Sequence, residues 1–193
     1  MRDKSLRSGE RQYGDSLDKL EAWHRWRYQE ACKYIKPTDI VLDLGCGVGY
    51  GSYIMSPLAK NVFGYDDSEE AIDFAFNHYK RDNIFYSTRS VLDIAITESV
   101  VKAMPPIVVA FEIIEHIEDT DAVFNIFKRL NAKLIILSTP HLDCPIGGNQ
   151  FHYKHYGMDE LIYSFRNIGY KPKRAELVYF GNGLCNFMVM ERR

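Results

Sequence analysis

Ile40-Val-Leu-Asp-Leu-Gly-Cys-Gly-Val-Gly-Tyr-Gly51 is the stretch on which the reading of this chain turns. Four apolar residues and an acid, 40–44, run straight into glycines at 45, 47, 49 and 51. The first part reads as a fully buried parallel strand, short, continuous and bounded by a turn. The second reads as a turn where the backbone must come close to something, because glycine alone accepts positive φ and leaves no Cβ in the way. Strand, glycine turn and helix together form the nucleotide-handling end of a doubly wound α/β domain. The competing reading is a tight strand–helix turn with no ligand.

The next segment bears on that choice. Asn61-Val-Phe-Gly-Tyr-Asp66 is a second short apolar run ending in an acid. It lies about 20 residues beyond the turn, where a ribose-binding carboxylate is expected. Asp67 follows, and Ser68 with Glu69 and Glu70 has the pattern of an N-cap with acids in the first helical turn. A solvated strand end is the plainer reading of Asp66. Further along, 84–87, 107–111 and 134–138 read as strands, and 50–55, 69–79, 119–130 and 158–167 as helices. Two more strands, 175–180 and 184–190, flank Gly181-Asn-Gly183, a strong hairpin signal. Residues 141–157 form a long loop, and long loops in compact domains usually carry function.

With 193 residues, one domain with a proper core is expected. A formal charge of −2 creates no field that would gather nucleic acid, so a nucleic-acid partner is not favoured. Cys32, Cys46, Cys144 and Cys185 form no CxxC pair, and the N-terminus is polar and charged. Free thiols in a reducing cytoplasm are therefore expected. No apolar run reaches membrane-spanning length, so no membrane partner is expected. Residues 1–16 read as a mobile segment, and 17–193 as the domain. The run 17–36, with Trp23 and Trp26 and ended by Pro37, reads as a helix that packs on the sheet edge or serves as a lid over a cofactor, with an arginine meeting the cofactor's carboxylate.

Val41-Leu-Asp-Leu-Gly-Cys-Gly-Val-Gly-Tyr-Gly51 resembles motif I of class I S-adenosylmethionine-dependent methyltransferases. Val62-Phe-Gly-Tyr-Asp66 with Ser68, Phe111-Glu-Ile-Ile-Glu-His116 and Leu134-Ile-Ile-Leu-Ser-Thr-Pro140 resemble their later strand segments in order and spacing. Glycine spacing alone would also suit a nicotinamide enzyme; the acid at Asp43 is what the methyltransferase pattern has and the dinucleotide fingerprint usually lacks. The resemblance implies a Rossmann-like, doubly wound, seven-stranded sheet, mostly parallel, with a C-terminal antiparallel hairpin. It implies S-adenosyl-L-methionine as cofactor, with Asp43, Gly45, Cys46, Gly47, Asp66, Asp67, Ser90, Val91 and Phe111 as its binding positions. The commoner Gly-Asp pair is absent at the adenine loop, where Ser90 stands.

Glu112, Glu115 and His116 lie at i, i+3 and i+4, so one helical turn would place all three on one face. Such a group is a hard-metal site, a base with its orienter, or a solvated polar turn. Together with His152-Tyr-Lys-His-Tyr-Gly-Met-Asp-Glu160, the motif resembles the metal-dependent 2′-O-methyltransferases that cap small-RNA 3′ ends. That resemblance maps a metal quartet onto Glu112, Glu115, His116 and His152, where Mg²⁺ or a similar ion would hold a vicinal diol. Glu115, His116 and His152 are the catalytic candidates, His116 or His152 serving as general base if no metal binds. Gly9-Glu10-Arg11, Trp26-Arg-Tyr28 and Asn149-Gln-Phe-His152 resemble small methyltransferases of glycan assembly. The expected acceptor is therefore a hydroxyl of a sugar or other small vicinal diol, the alternatives being an RNA ribose or a non-catalytic S-adenosylmethionine-binding module.

Overall fold

A computed structural model of the protein describes residues 11–94, 103–144, 149–180 and 183–193. Ile40–Leu44 is β1, buried at every position after the first. It pairs in parallel with β2 (Asn61–Asp66) on one side and β4 (Ile107–Phe111) on the other. Strands covered on both faces need apolar residues in succession rather than in alternation, and all five residues of β4 are buried. With β3 (Ile84–Thr88), β5 (Leu134–Pro140), β6 (Tyr170–Phe180) and β7 (Gly183–Arg192), the sheet order is β3-β2-β1-β4-β5-β7-β6. Only β7 runs antiparallel to its neighbours, giving the expected Rossmann-like sheet with its terminal hairpin. From β1 the chain builds outward to β3, then returns to lay β4 on β1's other side. The connections diverge there, opening a crevice at the carboxyl ends of β1 and β4.

Alternate strand residues serve opposite layers. Leu42, Leu44, Val108, Ala110, Ile135 and Leu137 face Phe124 and Phe127 of the helix Thr120–Leu130 and Phe165 of the helix Met158–Asn167. Val41, Val109 and Ile136 belong to the other layer, with Tyr28 and Ala31 of α1 (Ala22–Cys32) and Met55 of α2 (Tyr50–Met55). A third helix, α3 (Glu69–His78), is capped by Ser68, whose hydroxyl accepts from Ala71 N at 3.2 Å.

Two elements depart from the sequence reading. The expected helix over 17–36 is a short 3₁₀ turn, Leu17–Lys19, then extended backbone at Leu20 and Glu21, then α1. Leu20 turns inward to pack beside Gly14, and Gln12 accepts the Glu21 amide at 3.0 Å, which breaks the run. The strand expected from 175 begins at Tyr170. Pro172 is tolerated because β6 is an edge strand with a register shift between Pro172 and Arg174. The turn residues Gly181 and Asn182 lie outside the described residues, as do residues 1–10 of the segment expected to be mobile. Of that segment's remainder, Tyr13 packs edge-on to Phe74, and Gly14 O accepts from the Tyr79 hydroxyl at 2.6 Å. No helix among the described residues is long and apolar enough to cross a membrane.

The placing of α1 depends on Gly51. A Cβ there would come within 2.0–2.5 Å of the Tyr28 ring, which in turn sits edge-on to Phe111 at 4.9 Å. Gly51→Ala should therefore lower stability by about 1–3 kcal/mol through overpacking. The check is thermal unfolding followed by circular dichroism, with a melting temperature lower by several degrees.

Candidate active site

The glycine turn does three separate jobs. Gly45, Gly47 and Gly49 all have positive φ (71°, 53° and 88°). A Cβ on Gly45 would strike Ile113 at 2.9 Å, and one on Gly49 would strike Ala75 and Tyr86 at 2.6 Å, so these two permit close packing. Gly47 faces open space, its nearest neighbour being Arg11 Cγ at 4.0 Å. Gly45 N and Cys46 N both donate to Tyr65 O (2.8 and 3.0 Å), and Gly47 N donates to Asp66 Oδ2 at 2.8 Å. The turn is thus laced to the tip of β2. The Cys46 side chain is buried with Ile72, Ala75 and Tyr86, and its thiol is pushed up by that burial. Asp43 lies fully buried behind the turn, accepting from Ser52 Oγ at 2.6 Å and Tyr28 Oη at 3.4 Å. Burial pushes its carboxyl up to about 7.

Asp66 is the acid at the crevice. Its Oδ1 accepts from Ser68 N at 3.0 Å and from Arg11 Nη2 at 2.7 Å, and the same Arg11 nitrogen lies 3.1 Å from Asp67 Oδ1. A side-chain-free cradle at Gly47 with a carboxylate beside it suits a ribose whose two hydroxyls donate. The residues therefore fit an adenosyl cofactor: Asp66 for the ribose, and the Gly45–Gly47 backbone for the amino-acid end. Ser90 caps the short turn Val91–Asp93 through Leu92 N at 3.3 Å. Tyr65, Ser87, Arg89 and Ile94 line a recess beside it, and Val91 packs on the main core. Phe111 is buried at the end of β4 against Tyr28 and Phe187.

Beyond β4 the expected single helical face is not formed. Glu112 adopts φ 51°, rare for a residue with a side chain, and the 3₁₀ turn Ile114–His116 starts only after it. That break in phase separates Glu112 from the other candidates. Its Oε1 accepts from Ser138 Oγ at 2.8 Å, and its Oε2 pairs with Arg27 Nη2 of α1 at 3.3 Å. Arg27 is buried with its guanidinium over Trp23 at 4.4 Å.

Glu115, His116 and His152 do converge: one ligand atom from each lies within 4.8 Å of the others. Glu115 is fully buried, its Oε2 accepts from Thr139 Oγ1 at 3.0 Å, and its Oε1 has no hydrogen-bond partner among the described residues. Burial first, and the Glu112 charge second, hold its carboxyl well above the usual range. The loop 149–157 is fastened onto this turn. His116 Nδ1 donates to Phe151 O at 3.1 Å, Tyr153 N donates to Glu115 O at 2.8 Å, and His152 is carried in between. A carboxylate and two imidazoles can hold a divalent ion on three sides, or position an acceptor and take its proton. The expected quartet is therefore a trio with Glu112 turned aside. Arg11, Ser138 and Thr139 lie at the site although sequence reasoning assigned them no role; Gly9-Glu10-Arg11 and Ser138-Thr-Pro140 were visible only as parts of motifs.

A sequence profile described as a methyltransferase domain matches residues 35–161. The chain belongs to the class I S-adenosylmethionine-dependent methyltransferase family. A probable S-adenosylmethionine-dependent methyltransferase of Mycobacterium tuberculosis is 29% identical over 175 residues, covering 84% of this chain and 60% of that protein. One of Mycolicibacterium smegmatis is 28% identical over 154 residues, covering 75% and 57%. The chain thus spans somewhat over half the length of these relatives. Among solved structures, the N-methyltransferase NodS from Bradyrhizobium japonicum, in complex with S-adenosylhomocysteine, superposes with a TM-score of 0.76 at 15% identity, covering 98% of this chain and 99% of that one. That likeness is one of fold.

If the cofactor's ribose binds Asp66 in this methyltransferase domain, as the family resemblance implies, it must contend with Arg11 for one carboxylate oxygen. Asp66→Asn should weaken S-adenosylhomocysteine binding about tenfold to a hundredfold, the worth of a charge-assisted hydrogen bond. Arg11→Ala, which removes the competitor, should tighten it by up to about fivefold, the worth of a partly exposed ion pair. Isothermal calorimetry on the two variants reads both signs; weaker binding by Arg11→Ala would make Arg11 a ligand contact instead.

Proposed function

We propose that this domain transfers the methyl group of S-adenosylmethionine to a hydroxyl of a sugar or other small vicinal diol, with the acceptor oxygen held by Glu115, His116 and His152. The observation that carries the reading is the convergence of that trio next to the glycine turn, since Ile113, two residues before Glu115, packs directly on Gly45. Transfer forms an oxygen–methyl bond as the sulfur–methyl bond breaks, and the hydroxyl proton must leave. The chain's share is alignment of the oxygen with the sulfur–methyl axis and acceptance of that proton by an imidazole.

The trio also fits a divalent cation. Glu115 Oε1 is buried without a hydrogen-bond donor among the described residues, and a ligand atom of each imidazole lies within 4.8 Å of a Glu115 oxygen. An ion bound there would chelate adjacent hydroxyls and lower the pKa of the one attacked. One carboxylate and two imidazoles favour an ion that accepts nitrogen, such as Mn²⁺, Fe²⁺ or Zn²⁺, over Mg²⁺. The ExxEH resemblance supports this placing of the acceptor, with Glu112 assigned to hold Arg27.

The test measures transfer of labelled methyl to a panel of catechol, monosaccharides and ribonucleosides. Glu115→Ala and His152→Ala should each reduce the rate by about a hundredfold or more, while S-adenosylhomocysteine affinity by calorimetry is kept. EDTA should abolish transfer and Mn²⁺ restore it; transfer indifferent to EDTA assigns the proton to an imidazole without metal. Unchanged rates in both variants would place the reaction elsewhere.

A further inference from the structure

Both imidazoles of the proposed site are hydrogen-bonded through Nδ1, but only one is bonded to a group of fixed polarity. His116 Nδ1 faces Phe151 O at 3.1 Å; a carbonyl only accepts, so that ring carries its proton on Nδ1. His152 Nδ1 faces a third imidazole, Nε2 of His155, at 2.7 Å, where either nitrogen could donate. The choice is made one bond further out. His155 Nδ1 lies 2.7 Å from Cys144 O, again an acceptor, so Nδ1 of His155 is the protonated nitrogen and its Nε2, in the neutral ring, accepts. His152 must then donate from Nδ1, which leaves the lone pair on its Nε2. The sequence His152 to His155 to Cys144 O has a single direction, and both rings are buried at 9% exposure.

We propose that His155 is a positioning residue, fixing His152 as the Nδ1–H tautomer so that His152 Nε2 is the nitrogen that takes a proton or binds a metal. This rests on the reading of Glu115, His116 and His152 as the reacting site. Ligating and basic histidines are commonly set in this way by a hydrogen bond at the far nitrogen. Here the far partner is itself a histidine, whose polarity is set by the backbone of the loop that follows β5. His155 acts through His152.

The alternative is that His155 only packs the loop, and tautomer-sensitive spectra separate the two. Imidazole ¹⁵N spectra of the full-length, metal-stripped protein are recorded at a pH where the rings are neutral, with the His152 signals assigned by their loss in His152→Ala. The wild type is expected to show a pyrrole-type Nδ1 and a pyridine-type Nε2 at His152. His155→Gln should keep that pattern, because its amide can donate to Cys144 O and accept from His152 Nδ1 at once. His155→Leu should lose it and show the Nε2–H form. With catechol as acceptor probe, transfer should fall about tenfold or more in His155→Leu, the scale of losing an outer-shell partner, and recover in His155→Gln. S-adenosylhomocysteine affinity should be unchanged in both. An Nε2–H tautomer in the wild type, or an unaltered one in His155→Leu, overturns the proposal. Should His155→Leu fail to fold, the wild-type and His155→Gln spectra decide alone. Absence of methyl transfer would count against the proposed function and leave the tautomer result standing.

Discussion

The left-handed backbone of Glu112 is the constraint from which the site's arrangement follows. A residue with a Cβ in that region costs on the order of 1–3 kcal/mol, and it persists only where neighbours over-determine it. Three contacts do so here: Glu112 N donates to Ser138 O at 2.9 Å, Ser138 Oγ donates to its carboxylate, and Arg27 pairs with the other oxygen. With ordinary helical φ, Glu112 would share a face with Glu115, placing two carboxylates together in a buried setting. The bend instead sends Glu112 toward α1 and lets the 3₁₀ turn deliver Glu115 and His116 to His152. One strained residue thus divides two acids three positions apart, Glu112 pairing with Arg27 of α1 and Glu115 joining the two imidazoles.

The other half of the crevice is governed by what lies over Asp66. The carboxylate is held by two backbone amides, Gly47 N and Ser68 N, before any ligand arrives, so its orientation is set by the fold. Arg11 occupies the remaining direction. The N-terminal segment is fastened again behind it, by Tyr13 on Phe74, by Gly14 O under Tyr79 and by Gln12 on Glu21. α1 then continues over the sheet through Tyr28 on Gly51 and through Glu30, which pairs with Arg174 of β6 at 2.6 Å. A ribose bound at Asp66 would couple cofactor binding to the seating of this segment, because both would use one oxygen of one acid.

What was legible in the sequence is what is locally determined. The apolar run of β1, the glycines that tolerate positive φ and Asp66 at the end of β2 each depend on neighbours a few residues away, and each stands where the pattern placed it. The strand order followed from the family resemblance those motifs carry. The ExxEH spacing misled at Glu112 because its φ is imposed by Ser138 and Arg27, 26 and 85 positions away in the chain, and no local signal marks it. The start of β6 at Tyr170 rather than 175 depends on its place in the sheet, since an edge strand tolerates Pro172, having no ladder bond to lose on its outer side. Arg11 was passed over because its partners, Asp66 and Asp67, lie more than fifty residues away, and His155 because its bonds to His152 and Cys144 O follow no periodic spacing.

The charges around the trio bear on the size of the acceptor. Among the described residues, Glu112 and Glu115 stand against one buried guanidinium, Arg27. Lys154, on the loop that carries His152, pairs with Glu160. A polynucleotide backbone needs several uncompensated lysines or arginines along its track, and its affinity falls steeply with salt when they are few. A neutral polyol makes no such demand. It needs donors and acceptors at close quarters, which a carboxylate, two imidazoles and the Thr139 hydroxyl supply. This is the electrostatic ground for proposing a small hydroxylated acceptor rather than RNA, and it is independent of any resemblance between sequences.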